Sequence, residues 1–270
     1  MVVLNNPNKY SDFVSMDSLK RRRNAGGVWL LCLLALTMTA CDRPDPETEL
    51  DAASASLSTG NYEDAALRLN YVVQLEPENI RARELRGDIA LLLGDYVNAA
   101  SDFAFAQEMG APKSSIALRL AEAQMGQGQF DQALELLSTL EYELADDPLY
   151  WTLRADALLA ADRLIEAESA FAEIEKAGDG GTRAMTVGAR IAFARGDSAE
   201  AFKLFEQALA VAPDDARILI ARAGLLARTD RLDEAAEDLQ RAADIYREAS
   251  VSPREILSLL GLVQVHIARN

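Results

Sequence analysis

The chain has 270 residues, half of them apolar, with only 15 Gly and 8 Pro; this is enough apolar material for a substantial core, and it excludes a collagen-like or low-complexity polymer. Acidic residues outnumber basic ones 43 to 27. Five of the basic residues (Lys9, Lys20, Arg21, Arg22, Arg23) and two of the acidic ones (Asp12, Asp17) precede Cys41, so the remainder carries 41 acidic against 22 basic side chains. Such a surface repels phosphate backbones and anionic headgroups, and nucleic acid is not an expected partner.

The first element is an apolar run from Gly26 to Ala40, GGVWLLCLLALTMTA, behind Lys20-Arg21-Arg22-Arg23. It is short for a bilayer span and fits the apolar region of an export signal. Residues 1–40 are therefore read as a signal peptide, with Met16 as a second candidate start because the ordinary signal pattern begins there. Leu36-Thr37-Met38-Thr39-Ala40-Cys41 resembles a bacterial lipobox, with Met38 where Leu is usual. That resemblance implies lipidation of Cys41 after cleavage, a tether over 41–49, and an exported lipoprotein anchored to the bilayer and facing the periplasm. In such lipoproteins an Asp at the place of Asp42 favours the inner membrane. Cys32 leaves with the signal, so Cys41 is the one thiol of the mature chain and has no internal disulfide partner.

From residue 46 the sequence runs in frames of 34: 46–79, 80–113, 114–147, 148–181, 182–215 and 216–249. GNYEDAA at Gly60 returns as GDYVNAA at Gly94 and GQFDQAL at Gly128. Position 8 of the frame reads Ala53, Gly87, Ala121, Ala155, Ala189, Ala223, and position 20 reads Ala65, Ala99, Ala133, Ala167, Ala201, Ala235. Position 24 is always large and apolar: Leu69, Phe103, Leu137, Phe171, Phe205, Leu239. Small residues let two helices approach and the bulky one fills the space beside them. Period, columns and phrase resemble the tetratricopeptide repeat, a pair of antiparallel helices. The resemblance implies an all-α, right-handed α-solenoid superhelix of six hairpins, with helix A over positions 1–14 and helix B over 17–30 of each frame.

Position 15, between those helices, holds Gly60, Gly94, Gly128, Asp162, Gly196 and Asp230; a left-handed residue is expected there. Asn61, Asp95 and Asp197 follow as helix caps. Tyr62, Tyr96, Phe130, Leu164 and Leu232 pack over the turn, while Ser198 breaks the pattern and predicts a looser fifth turn. Pro77, Pro112, Pro148 and Pro213 mark the repeat junctions, and Trp151 is expected in the core. After Ala249, an apolar helix over 254–270 reads as the first half of a seventh repeat. Either the natural chain continues past Asn270, or this helix docks on a partner.

In the repeat family, the exposed positions of the A helices line a concave groove. Here they hold Glu84, Asp88, Glu122 and Asp156, then Arg183, Arg190, Arg217 and Arg228, predicting an acidic end and a basic end. Leu91, Leu118, Met125, Leu159 and Phe193 fall at groove positions too. The expected partner is a protein or peptide, not a small-molecule substrate.

Catalytic chemistry finds little support. His266 is the one histidine, so no histidine triad or zinc pair can form. Gly178-Asp179-Gly180-Gly181 lacks the Lys and Ser/Thr of a phosphate loop. No enzyme activity, metal or cofactor is expected. The lipobox, the acidic tether and the stretch from Leu57 to Pro112, followed by LRLAEAQMGQGQF, also resemble the start of the tetratricopeptide lipoproteins of PEP-CTERM/exosortase sorting and exopolysaccharide systems. This implies a scaffold in an envelope export machine; the other reading is a lipoprotein chaperone or regulator of the pilus-secretin type that holds clients transiently.

Overall fold

The computed structural model describes residues 44–248. The signal region 1–40, Cys41, Asp42, the helix expected over 254–270 and His266 lie outside them. The described residues from Asp45 onward belong to one compact unit. They form twelve helices and, among the described residues, no strand.

The helices pair in chain order. Hairpin one is α1 (Pro46–Ser58) and α2 (Tyr62–Leu75), hairpin two α3 (Ile80–Leu92) and α4 (Tyr96–Glu108), hairpin three α5 (Lys113–Gly126) and α6 (Phe130–Ser138). Hairpin four is α7 (Pro148–Ala160) and α8 (Leu164–Ala177), hairpin five α9 (Gly181–Ala194) and α10 (Ser198–Val211), hairpin six α11 (Ala216–Arg228) and α12 (Leu232–Glu248). None of the described helices is long and apolar enough to cross a membrane.

One local device builds all six hairpin turns. The residue at position 15 adopts positive φ, from 59° at Asp162 and 61° at Asp230 to 93° at Gly196. This lets the next N–H reach back to a carbonyl five residues earlier: Asn61 to Ser56, Asp95 to Ala90, Gln129 to Gln124, Arg163 to Leu158, Asp197 to Ala192 and Arg231 to Leu226, all at 2.8–2.9 Å. Orphan carbonyls at the end of helix A are thereby satisfied. Asn61, Asp95 and Asp197 then cap helix B, accepting from the backbone N–H of Asp64 (3.2 Å), Asn98 (3.2 Å) and Glu200 (3.0 Å). The fifth turn has the same bonds as the others, so Ser198 does not loosen it: the reach-back bond and the Asp197 cap need no ring at position 17. The left-handed backbone is strained for a side chain, and the bonds Asp162 and Asp230 make in the turn run from their backbone N–H groups, to the Leu159 and Ala227 carbonyls at 3.1 and 3.3 Å, which glycine would keep. Asp162→Gly is expected to raise stability by about 0.5–1 kcal/mol, read from urea unfolding.

The small columns sit where two helices touch. Every Ala of positions 8 and 20 is at most 4 % exposed. At Gly87 an added Cβ would lie 2.7 Å from the Phe103 ring, so position 8 has no room even for a methyl in the second hairpin. Leu69, Phe103, Leu137 and Phe205 are fully buried, whereas Phe171 and Leu239 are half-buried. Successive core clusters run across repeat boundaries: Ala82 and Ile89 of hairpin two complete the core of hairpin one, and Tyr150 and Leu153 of hairpin four complete that of hairpin three. Each hairpin thus buries its apolar face only by stacking on the next.

Helix α6 departs from the expected length. It stops at Ser138, position 25, and residues 139–147 make turns. The Ser138 and Thr139 hydroxyls each donate to a helix carbonyl, of Glu135 and Leu136, at 2.7 Å, a side-chain bond that competes with helix continuation. Leu140 then turns into the core, and the Trp151 indole N–H donates to the Ala145 carbonyl at 2.7 Å. Trp151 therefore has half a core role, at an edge-on contact with Tyr150 (5.0 Å), and half a role in pinning this turn. The turn leaves Tyr142 completely exposed.

Candidate functional site

All eight groove candidates stand on A helices: Glu84 and Asp88 on α3, Glu122 on α5, Asp156 on α7, Arg183 and Arg190 on α9, Arg217 and Arg228 on α11. Their charges do not segregate into an acidic and a basic end. Arg190 pairs with Asp156 across the α7/α9 boundary, one stride of 34 residues apart. Arg183 reaches over α7 to pair with Glu122 on α5. Arg119, on α5 and missed by the sequence reading, bonds both Asp88 oxygens at 3.0 Å and Glu84 at 3.3 Å, over the Phe103 ring. Arg228 sits apart from these pairs, exposed and stacked 4.8 Å above the Phe193 ring.

The charges pair because neighbouring A helices stand side by side, so position 9 of one repeat faces its counterpart in the next. Pairs this accessible contribute no more than about 1 kcal/mol each; what they set is the local field, which is near neutral along the wall. The apolar groove positions divide as well. Leu118 is buried between helices, whereas Leu91, Met125, Leu159 and Phe193 are half-buried and leave apolar surface between the ion pairs.

Asp88 shows what this crowding does. Burial pushes its carboxyl above the ordinary 3.8, Arg119 opposes that, and the neighbouring Glu84 and Glu122 add to the rise. A carboxylate whose folded value is raised contributes best when protonated and loses that contribution as pH rises through the raised value. At neutral pH, Asp88→Asn is therefore expected to leave the melting temperature within about 2 °C of the native chain or above it. The native chain should gain on the variant as the medium is acidified, in parallel melts of the two proteins.

A second concave feature lies where the last hairpin returns to the first two. A cavity of about 480 Å³ is lined by Tyr62, Leu92 and Leu93 on one side and by residues 212–217, Ile245 and Tyr246 on the other. Ala243 packs against Tyr62, Leu93 and Tyr246. Burial pushes the Tyr246 hydroxyl up to about 12. Arg217 stands at this cavity. Its guanidinium bonds the Asp215 carboxylate at 3.0 and 3.2 Å, and its positive charge also acts on Glu122 and Tyr96. Burial would raise the Asp215 carboxyl, but Arg217 and the backbone N–H groups of Arg217 and Ile218 together hold it below the ordinary carboxylate range. In the sequence Tyr62 belongs to its own turn, and the repeat pattern contains no signal that joins it to Tyr246.

No set of three or more metal-ligating side chains comes together among the described residues. The arrangement is a wall of half-exposed, mutually neutralised ions interleaved with apolar side chains, suited to holding a polypeptide by many small contacts.

Solved structures share this architecture. The chain is similar to one in the crystal structure of the APC/C hetero-tetramer Cut9–Hcn1, at 16 % identity and TM-score 0.57, covering 87 % of this chain and 45 % of that one. It is similar to TTC0263, a thermophilic tetratricopeptide protein of Thermus thermophilus, at 18 % identity and TM-score 0.53, with 71 % and 99 % covered. MamA from Desulfovibrio magneticus RS-1 aligns at 15 % identity and TM-score 0.50, with 63 % and 96 % covered. At these identities the likeness is one of fold. No curated protein matches the sequence. Family models described as tetratricopeptide repeat match residues 90–157 and, in a second model, 50–111 and 187–250. With more than half of its length matched in this way and every described helix in the repeat register, the chain belongs to the tetratricopeptide-repeat family.

Proposed function

We propose that this protein is a non-catalytic scaffold that binds protein or peptide partners along its A-helix wall, held to a bacterial membrane through lipidated Cys41 and facing the periplasm within an envelope export or surface-polysaccharide system. The observation that supports binding is the wall itself: the successive A helices α3, α5, α7 and α9 present paired ions and half-buried Leu91, Met125, Leu159 and Phe193 on one face. Support for the anchor comes from the sequence before the repeats, where an apolar export signal ends in Leu36-Thr37-Met38-Thr39-Ala40-Cys41. A chain that carries two acyl groups or more stays on the membrane far longer than one with a single chain.

Two experiments separate anchor from wall. Cys41→Ser should move the mature protein from the membrane to the soluble fraction; continued sedimentation with membranes would end the lipid proposal. Crosslinking from the wall followed by mass spectrometry should recover stoichiometric partners from solubilised membranes. Charge reversal of Arg183 and Arg190 together should cut that recovery by roughly tenfold, the scale of losing charge-assisted contacts. Unchanged recovery would place partner contacts elsewhere on the solenoid. Weak, substoichiometric clients would favour a transient chaperone over a scaffold.

A further inference from the structure

The contact between the sixth hairpin and the first two repeats is unlike every other helix contact among the described residues. Neighbouring hairpins share continuous cores of fully buried side chains. Here a single buried residue, Ala243, meets half-buried Tyr62, Leu93 and Tyr246, and beside it lies the 480 Å³ cavity. Tyr62 and Tyr246 line that cavity from opposite sides. An interface with one buried residue beside an open cleft parts more readily than the close-packed joints on either side of it.

Its position matters to the wall. Arg217, at the cavity on α11, acts electrostatically on Glu122 of α5, and Arg183 of α9 spans to the same carboxylate. Along the wall the third repeat is therefore tied to the fifth, and Arg217 places the contact between the sixth hairpin and the first two beside that same row of A helices.

We propose that this contact is a latch: closed, it restricts entry to the concave wall, and it opens as a unit, without unfolding of any hairpin, to admit the polypeptide partner. The proposal rests on the binding reading above and concerns access to that same surface.

The test uses the full chain with no partner, so its failure leaves the binding reading untouched. Thr186, between Arg183 and Arg190 on α9 and half-buried, is changed to Cys in a background with Cys32→Ser and Cys41→Ser. Its reaction with a polyethylene-glycol maleimide reports entry. Ala243→Arg forces a long charged side chain into the contact while leaving the α11/α12 packing alone, since Ala243 packs against Tyr62, Leu93 and Tyr246. Labelling at residue 186 is expected to accelerate at least tenfold, with a larger radius of gyration by solution scattering and unchanged helical circular dichroism. Equal labelling rates with an equal radius would overturn the latch. Should Ala243→Arg lose helix, p-benzoylphenylalanine in place of Tyr246 decides instead. Crosslinks to peptides containing Tyr62 or Leu93 support the closed contact, and crosslinks confined to the sixth hairpin overturn it.

Discussion

Phe103→Ala is expected to cost about 3–5 kcal/mol, the largest single loss in the described chain apart from helix-breaking changes. The ring is fully buried in a core shared by hairpins two and three, with Ala99, Ala106, Ile116 and Leu120 around it, the Gly87 backbone against its edge and the Arg119 guanidinium 5.4 Å above it. Truncation leaves a void lined on much of its wall by alanines, which have no longer side chain to collapse into it, so the site relaxes only in part. Because repeats contact only their neighbours, the damage should be local. Hydrogen exchange in α3, α4 and α5 is expected to accelerate well beyond that in hairpin five, with urea unfolding giving the total. The close approach supplies an internal check. Gly87→Ala alone should destabilise by about 1–3 kcal/mol through overpacking, and combined with Phe103→Leu it should cost clearly less than the sum, because the added methyl and the missing ring edge occupy the same space.

Asp102→Ala is the second. Asp102 is 1 % exposed and accepts two bonds from Arg86 at 2.7 Å and one from Arg83 at 3.0 Å, the fork of Arg86 meeting both oxygens. Removing the carboxylate leaves two mostly covered guanidinium groups with only neutral partners, the Pro77 carbonyl for Arg83 at 3.2 Å and the Asn70 side-chain oxygen for Arg86 at 3.1 Å. An orphaned buried charge costs more than the pair contributed; both arginines can tilt partly to solvent, which brings the expected loss to about 2–3 kcal/mol. The sixth repeat carries the same device at the same frame positions, Arg222 bonding both oxygens of Asp238 at 2.6 and 2.7 Å. Asp238→Ala should cost less, since one guanidinium rather than two is stranded. Equal losses, or none, in chemical denaturation would show that these forks contribute little beyond shape. The pair ties helix A to helix B within one repeat, whereas Arg119, Arg183 and Arg190 tie one repeat to another.

What the sequence could reveal was whatever the 34-residue stride repeats. The left-handed residue at Gly60, Gly94, Gly128, Asp162, Gly196 and Asp230, the caps at Asn61, Asp95 and Asp197, and the Ala columns recur because each unit faces the same steric demand, and recurrence makes them visible. The Asp156 and Arg190 pairing was readable in principle, being one stride apart. The short α6 was not. Its cause is local chemistry at Ser138 and Thr139 and the single anchor from Trp151 to Ala145, none of which alters the frame length. Arg119 escaped because position 6 is not counted among the family's exposed positions, although in this chain it collects Glu84 and Asp88. The junction of Tyr62 and Leu93 with Ala243 and Tyr246 escaped for a different reason: it depends on the accumulated rotation of six units, a small angle per repeat that no residue column encodes.

That junction changes what kind of object the chain is thermodynamically. An open stack of hairpins has two termini from which melting can proceed inward one unit at a time, so its outermost units are ordinarily the least protected. While the first and sixth units touch, the first hairpin to go must also surrender that contact, which rests on Ala243 and three half-buried neighbours. Loss of order should accordingly be only slightly steeper than the sum of neighbour interactions would give, with the helices of the first hairpin still exchanging their amides faster than the interior ones.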